Sequence, residues 1–173
     1  MSDEILINIT PPETRVAIVE NGVLQEVLIE RTRRRGLVGN IYKGKICRLL
    51  PGMQAAFVEV GLEKAGFLHV SDLCQNERSR SETDQIEVIF KDGQEILVQV
   101  VKDPLGAKGA RLTTDLAIPS VYLVYMPNSK VGGVSQRIES EHERARLRMI
   151  VEAFQKEHGS GGFIARTASE GID

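Results

Sequence analysis

A chain of 173 residues, 42% hydrophobic and 27% charged, has room for one ordinary domain or two small ones, and with neither Gly nor Pro in excess it has the composition of a globular protein. No apolar run approaches the ~18–20 residues that spanning a bilayer requires, and the start, MSDEILINIT, carries two acids and no basic region, which excludes a secretory signal. A formal net charge of −2 excludes a uniformly basic nucleic-acid coat and leaves a local groove of Lys, Arg and aromatic residues as the route to a nucleic acid.

The chain opens as a sheet. Ile5-Leu6-Ile7-Asn8-Ile9 is a β-rich run closed by Pro11-Pro12, which cannot continue a central strand. Residues 15–19 and 23–29 flank Glu20-Asn21-Gly22, and Asn-Gly between two apolar runs predicts a type I′ hairpin, whose two central residues need positive φ. Three such strands have no helix of their own and need a partner from elsewhere. The densest basic run, Arg31-Thr32-Arg33-Arg34-Arg35, follows.

From residue 38 the strands become short, closely spaced and punctuated by glycine. Residues 40–49, 54–60 and 66–68 read as three strands, residues 70–73 as a helical turn, and residues 75–87 as a charged loop. Residues 95–101 and 111–118 complete five strands, the pattern of a small closed barrel of the OB type. Beyond Pro119, residues 121–126 read as a strand and Pro127-Asn128-Ser129 as a turn. Ser140 with Glu143 three residues on predicts a capping box, each side chain satisfying an orphan amide of a long helix. Leu147, Ile150, Val151 and Phe154 then form one apolar stripe. Gly159, Gly161 and Gly162 end the helix, and a new strand begins at Phe163. The unit is not closed at Asp173, which suggests a piece of a longer protein.

Phe57 and Phe67 stand on adjacent predicted strands in a chain with eight aromatic residues, five Phe and three Tyr. An arbitrary Phe belongs in a core, but an exposed pair beside Lys43, Lys45 and Lys108 can stack bases. In the loop from Asp103 to Thr114, Gly106 and Gly109 allow close backbone approach to a phosphate, with Lys108 and Arg111 as cations; a plain hairpin turn explains the same residues equally well. Arg166-Thr167 places a guanidinium fork, a hydroxyl and an unused amide at a strand end, enough to hold one phosphate monoester, although a surface Arg and a cap residue account for them too. No P-loop, HExxH, GxSxG or paired Asp-x-Asp motif occurs, and His69, His142 and His158 have no evident triad partners. Asp72 stands alone. Cys47 and Cys74 lack metal-ligand spacing and read as free thiols of a reducing compartment, the cytoplasm by default.

The runs Gly39-Asn40-Ile41-Tyr42-Lys43-Gly44-Lys45, Leu50-Pro51-Gly52-Met53-Gln54-Ala55-Ala56-Phe57-Val58 and Lys108-Gly109-Ala110-Arg111-Leu112-Thr113-Thr114, with Arg166-Thr167-Ala168, resemble the amino-terminal part of the bacterial ribonuclease E/G family. Leu50-Pro51-Gly52-Met53-Gln54 and Val134-Ser135-Gln136-Arg137 point to the shorter of its two paralogues. The resemblance implies an α+β, mostly β fold: residues 1–37 as the first half of an RNase H-like subdomain, an S1-type OB-fold RNA-binding domain inserted at 38–118, and a small α/β 5′-sensor at 119–173. It implies RNA binding by Phe57, Phe67 and Lys108, to which the residue pattern adds Lys43 and Arg111, and 5′-phosphate binding by Arg166, Thr167 and Val124. At one position it departs: Gln136, beside Arg137, stands where the longer paralogue has a sensor arginine. The resemblance further implies a magnesium-dependent endoribonuclease of single-stranded, 5′-monophosphorylated RNA, acting in rRNA processing and mRNA decay, homodimeric or larger. Its catalytic domain, with magnesium and a zinc link, is expected beyond residue 173; no cofactor and no catalytic residue is expected within the chain. The alternatives are an OB-fold RNA-binding protein without nuclease activity, or a structural module serving as a dimer surface.

Overall fold

The computed structural model describes residues 3–33, 35–74, 77, 85–130, 132–159 and 161–172. Most of the charged stretch expected as a loop, residues 75–76 and 78–84, lies outside them, as does Arg34 of the basic run. Two compact units are present, Met1–Leu37 and Val38–Asp173.

The first unit is an antiparallel sheet of β1 (Asp3–Ile9), β2 (Glu13–Glu20) and β3 (Val23–Arg31) with β2 in the centre. Asn21 and Gly22 take φ of 52° and 78°, both central residues in the left-handed region as a type I′ turn demands. All residues of β1 and β3 are exposed, including Ile5, Leu6, Ile7, Val27 and Leu28. Glu13 faces Arg31 across the β2–β3 ladder and also binds Arg15, and these two guanidinium groups, Arg15 first, hold its carboxyl below the usual carboxylate range. The basic run thus begins with a neutralised arginine.

The second unit opens with a closed five-stranded barrel, and the chain is mostly β with two helices among the described residues. Its strands β4 (Ile41–Leu50), β5 (Ala55–Glu59), β6 (Gly66–His69), β7 (Glu95–Lys102) and β8 (Arg111–Thr113) close in the order β4-β5-β6-β8-β7. All neighbours are antiparallel except β6 and β8, which run parallel. Alternate residues point inward: Ile46, Ala56, Val58, Leu68, Val98, Val100 and Leu112 are buried. A four-residue helix, α1 (Ile86–Ile89), adds buried Ile86 and Ile89, and Phe90 follows fully buried. Ile86 and Glu87 are therefore helical, where a loop was expected; the apolar Ile86, Ile89 and Phe90 give this segment a core to join. The expected turn at residues 70–73 is a 3₁₀ turn, Val70–Asp72.

The fifth barrel strand is shorter than residues 111–118. It stops at Thr113, whose hydroxyl donates to the Asp72 carbonyl, and Ile118 already pairs with Tyr125 in the next sheet. That sheet contains β9 (Ile118–Pro119), β10 (Leu123–Met126), β11 (Gly133–Val134) and β12 (Gly162–Ala165), in the order β11-β12-β10-β9. One helix, α2 (Glu141–His158), packs on it through Leu147 and Val151, which join Ile138 and Ala165 in a second small core. Gly159 ends α2 in the left-handed region at φ 65°, a glycine cap.

The helix departs from expectation twice. Ile150 is 49% and Phe154 43% exposed, so the buried stripe is narrower than the sequence pattern; Leu147 and Val151 are buried against the small four-stranded sheet, and Phe154 touches it only through an edge-to-face contact with Phe163. The capping box is one-sided: Ser140 Oγ accepts from the Glu143 amide at 3.3 Å, while the Glu143 carboxylate turns to Arg146 and to the Gly171 amide. A charged fork and a second amide outcompete the Ser140 amide for its oxygens.

Candidate nucleic-acid interface

Strand register builds a row of side chains around the outside of the barrel. Phe57 faces Phe67 across β5–β6, Phe67 faces Arg111 across β6–β8, and Arg111 faces Lys102 across β8–β7. Facing residues share a side of the sheet, so with Val58, Leu68 and Leu112 directed into the core the row points out. The Phe57 and Phe67 rings meet edge to face with centroids 6.1 Å apart, and both are half-buried. They line an open groove of about 1060 Å³ together with Met53, Lys64, His69, Lys102, Lys108 and Arg111. A groove lined by two aromatic rings and by several cations matches the chemistry of a single strand, whose bases stack and whose phosphates carry charge.

The cations are not equivalent. Arg111 is held in a bidentate ion pair by Asp72, at 3.0 and 2.9 Å, and the carboxylate raises the guanidinium further above its ordinary value. Asp72 therefore does not stand alone, and Arg111 enters the groove already half neutralised. Lys64 Nζ donates to the Gly106 carbonyl at 2.6 Å. The Lys102 and Lys108 side chains are exposed and take no hydrogen-bond or ion-pair partner among the described residues, which leaves their charge to a ligand. Lys43 is not part of the groove; it pairs with Glu95 at 2.6 Å on β4 and β7.

The Gly106–Gly109 loop is a tight turn in which Leu105 and Lys108 exchange backbone hydrogen bonds. Gly106 takes φ 56° over open space, so a phosphate can reach it. Gly109 serves a different purpose from the phosphate approach its sequence suggested. A Cβ there would sit 1.9 Å from the Ala65 carbonyl oxygen, so the missing side chain lets the loop lie against the β5–β6 connection. Gly109→Ala is expected to destabilise the protein by roughly 2 kcal/mol, or about 5 °C in Tm. Thermal denaturation beside Gly52→Ala, where a Cβ meets nothing within 4 Å, is the check; equal melting temperatures would contradict the packing.

A second group of polar donors lies at the end of β12. Val124 on β10 pairs with Ile164 of β12, and two residues further on the Arg166 amide donates to the Tyr122 carbonyl at 2.8 Å. By pleat alternation Val124 and Arg166 belong to the same side of the sheet. One arm of the Arg166 guanidinium donates to the Ser120 carbonyl, which fixes the fork and leaves its other donors for a ligand. Thr167 begins a 3₁₀ turn, Thr167–Ser169, and its amide and hydroxyl take no partner among the described residues. Gln136 and Arg137 are exposed, with the Arg137 amide on Ser135 Oγ.

Two family models match the chain: the S1 RNA binding domain over residues 37–114, which contains the closed barrel and its groove, and the ribonuclease E/G family over residues 117–173, which contains β10, β12 and the Arg166-Thr167 pair. Ribonuclease G of Haemophilus influenzae is 57% identical over 97% of this chain, and that of Escherichia coli K12 55% identical over 99%. Ribonuclease E of Escherichia coli K12 is 38% identical over 96%. Over nearly its whole length the chain is similar to members of the ribonuclease E/G family. It spans about a third of the length of the ribonuclease G relatives, 35% and 36%, and 16% of that ribonuclease E.

Met53, Lys64, His69 and Lys102 are among the groove residues that the sequence did not single out as ligand contacts. His69 was within reach, being two residues from Phe67 on a strand and hence on the same side. Its Nδ1 accepts from the Ser71 amide at 3.1 Å and lies 2.8 Å from Ser71 Oγ, so the neutral ring carries its proton on Nε2. Lys102 needs the β7–β8 register, including the irregularity between Val100 and Lys102, which no local pattern announces. Cys47 is exposed and Cys74 buried, both as free thiols, and burial pushes the Cys74 thiol up. No group of three His, Cys, Asp or Glu side chains among the described residues could hold a metal ion. Among the described residues no helix is long and apolar enough to cross a membrane.

Near the Arg166-Thr167 pair, Glu143 is the most perturbed carboxylate. The Arg146 fork above all, then the Gly171 amide, hold it down at about 2. Its folded value is depressed, so its contribution is fully present above the ordinary 4.5 and is lost as the pH falls through about 2. Acidification is expected to leave the Glu143–Gly171 contact intact until well below the titration of ordinary surface carboxylates. The Gly171 amide resonance followed by NMR reports this; a midpoint near 4.5 would contradict the pairing.

Proposed function

We propose that this chain is the RNA-binding and 5′-monophosphate-sensing part of a magnesium-dependent endoribonuclease that cleaves single-stranded RNA in rRNA processing and mRNA decay. The observation that carries the proposal is the barrel groove, where Phe57 and Phe67 stand side by side between Lys102, Lys108 and Lys64. The names of the relatives, ribonuclease G and ribonuclease E, support the nuclease, and the S1 match supports RNA as ligand. In functional terms residues 1–37 supply half of an RNase H-like subdomain, 38–118 the RNA-binding module and 119–173 the 5′-sensor. The longer protein is cytoplasmic and homodimeric or larger. Magnesium and a zinc link are assigned to parts of the longer protein outside this chain.

Each part has its own chemistry. The rings stack bases whatever their identity, and the lysines track the backbone, so the barrel holds RNA without reading much sequence. At the sensor a 5′-monophosphate, close to dianionic with three acceptor oxygens, meets the Arg166 fork and the Thr167 amide and hydroxyl, with Val124 against the terminal nucleotide. A 5′-hydroxyl leaves those donors unpaired and a triphosphate is bulkier, so selectivity follows from unsatisfied groups in the competing complexes. Binding of a short single-stranded RNA should fall with salt at a slope of about −2 in log K against log salt if three lysines contact phosphates, at ~0.7 per contact. Fluorescence anisotropy across a salt series measures it; a flat response would remove the phosphate contacts from the account.

A further inference from the structure

The segment that carries Arg166 and Thr167 is a single 3₁₀ turn followed by Gly171 at φ 72°, with no strand or helix ladder to hold it in one direction. It is fixed by two tethers. At its start the Tyr122 carbonyl accepts from the Arg166 amide at 2.8 Å and from Ser169 Oγ at 2.6 Å. At its end Glu143 Oε1 accepts from the Gly171 amide at 2.9 Å, and Arg146 Nη2 donates to the Ile172 carbonyl at 2.8 Å. Glu143 and Arg146 are locked to each other through two contacts of 2.9 and 2.6 Å, and their side chains are only 14% and 28% exposed. Glu143 stands three residues past the N-cap, where a capping box would turn it to the Ser140 amide. It is spent on residue 171 instead.

We propose that the Glu143–Arg146 pair is a positioning device for the 5′-phosphate site, holding the Arg166–Ile172 segment so that the Arg166 fork and the Thr167 amide face one point. It rests on the assignment of Arg166 and Thr167 to a 5′-phosphate. Neither residue of the pair touches the phosphate. Arg146 has a second task, because it neutralises the α2 carboxylate that holds the end of a segment meant to receive a dianion. Removing Arg146 frees the segment's end and leaves the Glu143 charge uncompensated. Glu143→Gln keeps an acceptor for the Gly171 amide and does less harm.

The test is fluorescence anisotropy of one short oligoribonucleotide carrying either a 5′-monophosphate or a 5′-hydroxyl, with the wild-type chain, Arg146→Met, Arg146→Lys and Glu143→Gln. Wild type should prefer the monophosphate by about tenfold, the scale of one or two hydrogen bonds to a charged group. Arg146→Met should reduce that preference to within about twofold while leaving 5′-hydroxyl affinity unchanged, a split that general loss of structure would not give, since it weakens both. Arg146→Lys, which keeps the charge but not the fork, should restore part of it. Should Arg146→Met fail to fold by circular dichroism, Glu143→Gln carries the test, with an intermediate preference expected. A wild-type preference that survives in the folded variants overturns the positioning role and leaves the phosphate site standing. Absence of any preference in wild type overturns both.

Discussion

Phe57→Ala and Phe67→Ala are each expected to weaken binding of a short single-stranded RNA by about 5- to 150-fold, the equivalent of ~1–3 kcal/mol per stacked base. The two rings are a directly facing pair on β5 and β6, half-buried, with their edges in contact at a centroid separation of 6.1 Å. Truncating one removes a platform and also the edge that holds the other ring in place. The double variant should therefore lose less than the sum of the two single losses. Neither ring belongs to the inner layer formed by Val58, Leu68 and Leu112, so the barrel should stay folded. Anisotropy at fixed low salt, with circular dichroism as the control for folding, gives the answer. Unchanged affinity in both single variants would return the aromatic pair to a packing role.

The second large effect concerns the 5′ end. Arg166→Ala in the longer ribonuclease should abolish the faster cleavage of 5′-monophosphorylated over 5′-hydroxyl RNA, about a tenfold loss or more for a charge-assisted fork. Arg166→Lys should recover little, because an ammonium on a flexible stem cannot present two parallel donors to one phosphate. The fork is preorganised: one arm is bound to the Ser120 carbonyl and the backbone amide is tied to Tyr122. Thr167→Val, which keeps the shape and removes the hydroxyl, should cost a smaller factor, about fivefold. The comparison is made on initial cleavage rates with matched substrates. Equal rates for monophosphorylated RNA in Arg166→Ala and wild type would contradict the assignment.

Much of the architecture is legible in the sequence because it is local. Asn21-Gly22 dictates a turn with two positive φ values, and the structure has both. The glycine-punctuated runs between residues 40 and 101 are strands within a residue or two, since alternation of side chains needs only a single strand to be recognised. What is not legible depends on partners far along the chain. The end of the fifth barrel strand is set by Asp72 capturing Thr113 and by Ile118 joining Tyr125, contacts no pattern around residue 115 foretells. Ile150 and Phe154 share a stripe with Leu147 and Val151, yet the sheet beneath α2 is too narrow to cover all four.

The site follows the same division. Phe57 and Phe67 are visible as aromatics on neighbouring strands, and the structure places them and Lys108 and Arg111 along one groove. Lys43 carries the same charge but is drawn to Glu95, because cation placement depends on cross-strand partners rather than on composition. Lys102 enters through register alone. At the 5′-phosphate candidate, Arg166 and Thr167 are conspicuous as a pair, whereas Glu143 reads as half of a capping box until Gly171 is seen to claim its carboxylate.

The central claim is that one face of the barrel, bearing Phe57, Phe67, Lys102 and Lys108, receives single-stranded RNA. Titrating a short 5′-monophosphorylated oligoribonucleotide into the isotopically labelled chain and following its NMR resonances tests this residue by residue. Saturable shifts are predicted for Phe57, Phe67, His69, Lys102 and Lys108, with a second set at Arg166 and Thr167 that disappears when the oligonucleotide ends in a 5′-hydroxyl. Saturable shifts confined to other surfaces, or none on the groove at saturating RNA, would contradict it.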